Sequence, residues 1–329
     1  MNNWLDNLAQ DPIPQLITSG DAALIFIVQR DLLGKPSPSN KSLSEIPEAV
    51  RIINKQTTDG CWKYQGRGPQ RHPYVNYNLL ETFRSLSILV SKYQLTREYP
   101  TVQKAAEYVF SCQEPEGDIR GILGNQYMPY YHAVILEQLI LAGYEDDTRV
   151  LIGLEWLETI QQSDGGWLIP AQTVPPEKKT ERFWKVDPQP TDRSLPSSHQ
   201  GTGMSLRAFA VHPVYRAKHS ARLAALFLSR RFFKPDHYND RKASVYWTKY
   251  QFLFLWSNLL TALDSLSLMG FPVEDENVQP GLPWFTAHQE PDGLWPTGYG
   301  KGKKRQVIGT GSGWRSAGCP CSLAIRDNK

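Results

Sequence analysis

Residues 161–167 read Gln-Gln-Ser-Asp-Gly-Gly-Trp, and this short stretch decides the fold because the chain repeats it. The same order of Gln, three residues, Gly, one residue and then Trp or Ile recurs at 56–62, 113–119 and 289–295. A worn copy stands at 232–238, where Phe, Asp and Tyr replace the Gln, Gly and Trp. Close copies at near-regular spacing indicate a repeat architecture.

Each copy of the motif ends one helix and leads into another. The residues before the Gln place apolar side chains at helical spacing, as in 102–110. The motif Gly fits a helix C-terminus because its backbone reaches positive φ without a Cβ clash. More apolar segments follow the motifs at 77–93, 129–142, 200–211 and 248–269. The unit is therefore predicted to be a polar-faced outer helix, a Gly turn and a buried inner helix.

A closed ring is the architecture that best buries these inner helices. Segments 21–33 and 313–325 are two further inner-helix candidates. A helix that is apolar around much of its circumference needs neighbours on most sides, and a ring of helix pairs supplies them. An open solenoid is the structural alternative, but neither chain end shows an obvious polar cap, which favours closure. We predict an all-α protein, an α/α toroid with about six inner and about five to six outer helices.

The predicted toroid is a single domain that spans residues 1–329. Its repeat core covers 41–300. A Pro-rich insertion at 170–198 contains six prolines and is expected to be either a lid at the end of the ring or a disordered excursion; its aromatic pair Phe183-Trp184 favours a lid. The C-terminal segment 298–329 is irregular, because Gly318 and Pro320 interrupt the expected last inner helix.

The motif resembles the QW repeat of squalene and oxidosqualene cyclases, and a related repeat occurs in the β subunits of protein prenyltransferases. The resemblance spans about residues 48–295. It implies that the motif Gln and Trp stack between outer helices and tighten the ring. Such a structural role is expected for Gln56, Trp62, Gln113, Gln161, Trp167, Gln289 and Trp295.

The catalytic motifs of those families have no counterpart in this chain. The Asp-x-Asp-Asp of class II cyclases, the Asp-Asp-x-x-Asp of class I cyclases and the zinc ligands of the prenyltransferases are all missing. The nearest acidic cluster, 145–147, precedes a predicted helix, where acids stabilise the N-terminus. The resemblance therefore carries no catalytic residue onto this sequence. Whether the protein is an enzyme stays open; an isoprenoid transferase or a cyclase is the class expected of one.

Inner-helix starts converge on one end of such a ring, and two histidines stand there. His132 and His199 are predicted to act as acid or base near neutral pH, with a capping or core-satisfied histidine as the alternative for each. Lys301 and Lys303 are candidates for binding a diphosphate, with a mobile basic loop as the alternative. Aromatic groups can stabilise cationic character in a ligand. The candidate aromatic lining of an apolar cavity is Tyr77, Tyr130, Tyr250 and Trp256.

Charged residues also stand on the predicted inner helices. They either pair within the wall of the ring or line a polar cavity, because charges are rarely buried unpaired. These residues are Glu81, Arg84, Glu137, Arg207 and Asp264.

Composition excludes several classes of partner. A net charge of +3 is too balanced to indicate a nucleic-acid partner. The four cysteines fit a reducing compartment, and Cys319-Pro-Cys321 lacks a second pair, so no metal and no cofactor is expected. The N-terminus has no signal-peptide core, and the most apolar stretch is interrupted by Asn258 and Asp264. We therefore predict a cytoplasmic protein without an integral membrane segment.

Three functions are compatible with these features. The first is a prenyltransferase-like or terpene-cyclase-like protein that binds an isoprenoid or another apolar small molecule or lipid in a central cavity, its reaction open. The second is a non-catalytic binding or scaffold protein on the same barrel, with a protein partner. The third is a carbohydrate-active α/α-barrel enzyme, which needs paired carboxylates about 5 to 9.5 Å apart. Fold alone does not choose among them.

Overall fold

The computed structural model describes residues 8–35, 41–66, 72–238, 241–250, 252 and 256–296. Within them the regular secondary structure consists of α-helices, three π-helical segments and short 3₁₀ turns, with one short extended segment at Ile122–Asn125. The α-helices are α1 (Ile13–Ile17), α2 (Ala22–Ile27), α3 (Lys41–Ser44), α4 (Pro47–Ile53), α5 (Tyr77–Ser87), α6 (Pro100–Phe110), α7 (Pro129–Leu139), α8 (Thr148–Thr159), α9 (His199–Val211), α10 (His219–Ser229), α11 (Leu259–Leu268) and α12 (Leu282–Ala287). The predicted all-α class is confirmed.

Two kinds of helix alternate along the chain. Helix α7 is buried at ten of its eleven positions and α9 at eleven of its thirteen, whereas α6 and α8 are buried on one face only. Helix α9 packs against both α7 and α11, and α7 packs against α5, so the buried helices are neighbours. We therefore assign α2, α5, α7, α9 and α11 as inner helices. The predicted inner helix at 313–325 and the irregular segment 298–329 lie outside the described residues.

The side chain of the motif Gln connects successive outer helices by two hydrogen bonds, and we call this pair of bonds the clip. In the third copy, Nε2 of Gln161 donates to the carbonyl of Gly165 at 2.7 Å and to that of Ser220, at the start of α10, at 2.9 Å. The indole of Trp167 donates to the carbonyl of Leu157 at 2.8 Å. The Gln bonds recur in the other three close copies, and the indole bond recurs wherever the motif has Trp.

The motif Gly allows the neighbouring outer helix to approach its backbone. Gly60 has a φ of +90°, and a Cβ there would lie 2.2 Å from the carbonyl oxygen of Lys104 in α6. No side chain fits that distance, and the positive φ disfavours any other residue. The turn and the helix contact thus both require glycine.

The fourth copy closes the row of outer helices. Nε2 of Gln289 donates to the carbonyl of Gln10 at 2.8 Å, and the amide of Gln10 donates back to Oε1 of Gln289 at 2.9 Å. A Cβ at Gly293 would lie 2.8 Å from the carbonyl oxygen of Asp11. The clip that elsewhere reaches the next outer helix here reaches the chain just before α1. The ends of the row therefore meet, as a toroid requires.

Among the described residues, no helix is both long and apolar enough to cross a membrane.

Candidate functional site

His132 occupies a place that threonine fills in two other repeats. Its Nδ1 accepts a hydrogen bond from the amide of Ile119 at 2.9 Å, at the motif position that otherwise holds Trp. In the first and third copies the amide of the motif Trp donates instead to Oγ1 of Thr82, at 3.1 Å, and of Thr202, at 3.0 Å. In all three cases an inner-helix side chain fixes the end of the motif.

Both ring nitrogens of His132 are engaged by the main chain. Since Nδ1 accepts, Nε2 carries the proton and donates to the carbonyl of Gly153 at 3.0 Å. The residue is fully buried, and burial lowers the pKa of His132 to about 4, partly offset by the Gly153 carbonyl. The imidazole is therefore neutral at pH 7, and the folded state leaves no ring nitrogen of His132 for a substrate. It has the contacts of a structural histidine.

The worn copy departs from this clip pattern. Phe232 cannot make the Gln hydrogen bonds, and its ring packs edge-on against Trp247 at 5.3 Å. Trp247 is fully buried and its indole donates to the carbonyl of Lys234 at 2.9 Å. Trp247, nine residues beyond Tyr238, thus supplies the buried indole of this repeat.

Asp236, in the place of the motif Gly, brings a carboxylate to the start of α9. Its Oδ2 accepts hydrogen bonds from the hydroxyl of Ser198 and the amide of Gln200, both at 2.9 Å, and its Oδ1 accepts from the amide of Tyr238 at 3.0 Å. Nδ1 of His199 lies 3.3 Å from the same Oδ2, and neither side chain is accessible to solvent. An acid and an imidazole thus share one buried site.

The charge states of this pair follow from its surroundings. Burial lowers the pKa of His199, and the negative charge of Asp236 only partly offsets that effect. Burial raises the pKa of Asp236, but His199, the amides of Gln200 and Tyr238 and the hydroxyl of Ser198 outweigh it and lower the pKa below its usual range. The pair is therefore an ionised carboxylate beside an imidazole that releases its proton easily. Such an imidazole can accept a proton and pass it on.

Two glycines of α9 let the starts of α7 and α11 approach the same place. A Cβ at Gly201 would lie 1.8 Å from Cε1 of Tyr130, and one at Gly203 would lie 1.9 Å from Oγ of Ser257. Nε2 of Gln200 donates to the carbonyl of Ser257 at 3.0 Å. We call the group formed by Tyr130, Ser198, His199, Gln200, Asp236 and Ser257 the polar cluster.

Four atoms of the polar cluster lack a hydrogen-bond partner among the described residues. They are Oη of Tyr130, Nδ1 of His199, Oε1 of Gln200 and Oγ of Ser257, all buried. Buried polar atoms in folded proteins nearly always have a partner, which can be water or a ligand. The cluster therefore has hydrogen-bonding capacity that the protein's own described groups do not fill.

The other residues predicted to bind ligand are dispersed. Tyr77 stacks on Tyr64 at 4.9 Å, and Tyr250 stacks on Phe285 of α12 at 5.9 Å. Trp256 lies beneath the guanidinium of Arg241, 4.6 Å from its ring centre. Only Tyr130 lies in the polar cluster. Lys301 and Lys303 lie outside the described residues.

Four of the charged residues predicted on the inner helices form two ion pairs. Nε of Arg207 in α9 donates to Oε1 of Glu137 in α7 at 3.0 Å, and Nη2 of Arg207 lies 2.8 Å from Oε2 of Glu137. Burial raises the pKa of Glu137, an effect that Arg207 opposes and the charge of Asp264 reinforces. Glu81 and Arg84 form a looser pair on α5 at 3.5 Å.

The Pro-rich insertion covers the connections that lead into α5 and α7. Nε2 of the buried Gln126 donates to the carbonyl of Phe183 at 2.7 Å, and its Oε1 accepts from the amide of Gln189 at 2.7 Å. Trp184 packs edge-on against His72 at 5.3 Å. The insertion thus lies over the end of the ring at which the inner helices begin.

In the part of the chain that the structure describes, no three His, Cys, Asp or Glu side chains are grouped to hold a metal ion.

These observations define the class of the protein as an all-α repeat ring of outer and inner helices. Residues 79–180, from α5 to the start of the insertion, match the family model of the squalene-hopene cyclase C-terminal domain. The chain thus has a terpenoid cyclase-like α/α-toroid fold, without the acidic motifs of those enzymes. No curated protein sequence matches the chain significantly.

Solved structures of low sequence identity resemble the chain. A structure of the type II terpene cyclase MstE from Scytonema, in complex with its substrate geranylgeranyl dihydroxybenzoate, has a TM-score of 0.45 and 14% identity over 87% of this chain and 82% of that one. Another MstE structure, with the product merosterolic acid A, has a TM-score of 0.44 and 14% identity over 95% of this chain and 97% of that one. A protein from Actinoplanes has a TM-score of 0.33 and 17% identity over 78% and 83%.

Sequence reasoning missed Asp236 as a site residue, although a signal was present. The worn copy places an acid where every close copy has Gly. A repeat position that loses its structural residue and gains a charged one is a candidate for a functional role. Trp247 carried no such signal, because it lies outside the motif spacing.

Proposed function

We propose that the protein binds an isoprenoid, or an apolar ligand of similar shape, inside the ring of inner helices, and that His199 transfers a proton there. The observation that carries this proposal is the polar cluster, in which the starts of α7, α9 and α11 meet at a buried acid and imidazole. The match to the squalene-hopene cyclase C-terminal domain supports an isoprenoid as the ligand class.

Within this proposal His199 and Asp236 have separate roles. The carboxylate of Asp236, fixed by three hydrogen bonds, holds the imidazole of His199 in place and stabilises its protonated form. Trp247 stacks on the other side of the imidazole, with ring centres 4.6 Å apart. In its protonated form His199 can then give a proton to an alkene, and in its neutral form it can take a proton from a carbon next to a carbocation.

The insertion has a role in the same proposal. A carbocation or a basic intermediate reacts with water unless the site excludes it. The insertion, anchored on Gln126, lies at the end of the ring where the polar cluster is. We assign it the function of a lid.

Binding and turnover test the proposal together. The purified protein is incubated with farnesol, geranylgeraniol, squalene and farnesyl diphosphate, native mass spectrometry reports bound mass, and gas chromatography of the extracts reports products. Wild type is compared with His199→Asn and with His132→Thr, a matched change of a buried histidine that retains the motif hydrogen bond.

We expect one ligand bound per chain and a product whose formation falls about 100-fold or more in His199→Asn but not in His132→Thr. A ligand that binds but is never converted would favour the non-catalytic alternative. Absence of binding by all four compounds would contradict the proposal itself.

A further inference from the structure

Two neighbouring parts of the ring carry opposite charge. Residues 98–160, which include the outer helices α6 and α8, contain eleven Asp and Glu but three Lys and Arg. Residues 207–263, which include the outer helix α10, contain ten Lys and Arg but two Asp and Glu. These opposite excesses cancel each other, so the net charge of +3 does not reveal them.

The exposed side chains show the same division. The acidic part, residues 98–160, has six exposed acids, among them Glu107 and Glu155, and one exposed base, Lys104. In the described portion of the basic part, residues 207–263, five Lys and Arg side chains are exposed. The acid described there, Asp236, is buried in the polar cluster. The outer surface therefore has an acidic side and a basic side that adjoin each other.

Helices α8 and α10 share one register, because the motif positions both of them in the same way. The motif Gln donates to the carbonyl of Arg149 in α8 in one copy and to that of Ser220 in α10 in the next. A Cβ at the motif Gly would meet Ile152 in α8 and Leu223 in α10, each three residues further along. Arg149 thus corresponds to Ser220, and Ile152 to Leu223. We infer that corresponding residues lie at the same height of the ring.

The outer faces of α8 and α10 present complementary side chains near the same heights. Ile152 on α8 is 40% exposed, and Leu223 on α10 is 38% exposed. One turn further along α8, Glu155 is exposed and accepts a long hydrogen bond, at 3.4 Å, from the hydroxyl of Tyr215. Arg230, at the end of α10, is exposed and has no acidic partner among the described residues. Each helix thus offers an apolar side chain, with an acid on one helix and a base on the other.

A symmetric pair of chains can match these faces. A two-fold axis parallel to the axis of the ring, placed between α8 and α10, brings α8 of each copy opposite α10 of the other. Such an axis preserves height, so Ile152 faces Leu223 of the second copy. Glu155 then lies one helical turn, about 5 Å along the axis, from the level of Arg230 of the second copy. An arginine side chain is long enough to span that distance, and each contact occurs twice.

We propose that the outer faces of α8 and α10 form the interface of a symmetric homodimer, in which the acidic α8 of each copy packs on the basic α10 of the other. Charge complementarity favours a second copy as the occupant, because the chain itself carries both halves of the match. Each helix is roughly 17 Å long, so the interface is small and the dissociation constant should be in the micromolar range. The inference does not depend on which ligand the ring binds.

Charge-reversal variants test this interface by sedimentation equilibrium, at chain concentrations between about 1 and 100 µM. The variants are Glu155→Arg, Arg230→Glu, and an equal mixture of the two. Lys104→Glu is the matched control. Lys104 is exposed on α6, and a Cβ at the motif Gly60 would meet it, so it occupies the repeat position of Ile152 and Leu223 on a helix outside the interface.

We expect the wild-type chain to form a dimer of two 37.4 kDa chains. Its dissociation constant should rise about tenfold or more between roughly 0.05 and 0.5 M salt. Each reversal places like charges opposite each other at two symmetric contacts, so either variant alone should lose about 100-fold or more in affinity. In the mixture every acid again faces a base, so a heterodimer should form with about the wild-type constant. Lys104→Glu should match wild type.

Three outcomes would overturn the inference. A wild-type chain that stays monomeric at about 100 µM in low salt would leave these faces to a different partner. A dimer that neither Glu155→Arg nor Arg230→Glu weakens would have another interface. Two monomeric variants that melt like wild type but form no heterodimer when mixed would show that α8 and α10 do not face each other.

Discussion

The motif residues have different roles in the close copies and in the worn copy of the repeat. In the third copy, Gln161 donates to the carbonyl of Ser220 in α10, and Trp167 donates to the carbonyl of Leu157 in α8. Gly165 allows α10 to approach, because a Cβ there would lie 3.0 Å from Leu223. In the worn copy, Asp236 directs a carboxylate to the start of α9 and contacts His199. The close copies hold the ring together, and the worn copy brings acid–base groups into it.

The two histidines of the site show the same contrast. His132 belongs to a close copy, where it does what Thr82 and Thr202 do elsewhere. His199 belongs to the worn copy and contacts an acid instead of the motif backbone. Both have pKa values lowered by burial, so a lowered pKa does not separate His132 from His199, the proton-transfer residue we propose. The two differ in their contacts: main-chain groups hold both ring nitrogens of His132, whereas Nδ1 of His199 faces the carboxylate of Asp236.

Loss of a motif glycine should have the largest effect. Gly60→Ala places a Cβ 2.2 Å from a main-chain oxygen of α6 at a φ of +90°. We expect a loss of roughly 3–5 kcal/mol in the free energy of unfolding, from overpacking together with left-handed strain. Urea denaturation followed by circular dichroism measures it.

Gly270→Ala is the matched control for this change. Gly270 has a similar φ of +80°, but no heavy atom lies within 4 Å of a Cβ there. It should lose only about 1 kcal/mol from backbone strain. Equal losses in the two variants would mean that the close helix contact contributes nothing beyond the strained turn.

Restoring glycine at position 236, the motif position of the worn copy, should destabilise the protein and not stabilise it. Asp236→Gly removes the acceptor of three hydrogen bonds and leaves the hydroxyl of Ser198 and the amide of Gln200 unpaired. We expect a loss of about 3 kcal/mol in the free energy of unfolding. An unchanged or increased free energy of unfolding would show that the hydrogen bonds of Asp236 do not stabilise the fold. It would also remove the basis for the role of Asp236 beside His199.

The repeat could be predicted from the sequence because its physics is local. The Gly needs a positive φ, the Gln reaches a carbonyl four residues away, and the Trp reaches one ten residues back. Each constraint therefore recurs at fixed spacing, and the seven Gln and Trp residues predicted to be structural all lie in these motifs. Closure through Gln10 was not predictable, because it joins residues 279 positions apart.

The site was less predictable because its contacts are not local. His132 and His199 both stand at inner-helix starts, and nothing in their flanking residues separates them. The two differ in the group that their Nδ1 faces: for His132 it is the amide of Ile119, and for His199 it is the carboxylate of Asp236.

The pH dependence of stability tests whether His132 is buried in its neutral form. Folding lowers the pKa of His132 from about 6.5 to about 4, so between these values the unfolded chain binds a proton that the folded chain excludes. Its contribution is complete above pH 6.5 and is lost as the pH falls toward 4, by roughly 3 kcal/mol. His132→Thr should remove this slope.

At neutral pH the same variant should lose about 2–4 kcal/mol, because Thr retains the acceptor for the amide of Ile119 but leaves the carbonyl of Gly153 without its donor and loses the ring contact with Trp156. Urea titrations between pH 4 and 7.5 measure both quantities. The groups with lowered pKa at His199 and His212 remain in the variant, so part of the acid sensitivity persists. An unchanged slope would contradict the buried neutral state of His132.

The smallest expected effect concerns the insertion, which lies in the same long interval as the worn copy. Gln126→Ala removes the bonds to the carbonyl of Phe183 and from the amide of Gln189. Because these bonds anchor a surface segment and not the ring, global stability should change by less than about 1 kcal/mol. Trypsin should instead cleave at Lys178, Lys179 and Lys185 about fivefold faster, since local opening costs less.

Gln103→Ala is a suitable control, because Gln103 also donates to a single loop carbonyl, that of Arg97, but does not contact the insertion. It should leave the rate of cleavage unchanged. If Gln126→Ala lowers the melting temperature of the whole protein and does not raise local cleavage, the insertion unfolds only together with the ring. It would then be part of the wall and not a lid, and the polar cluster would need another route by which a ligand enters.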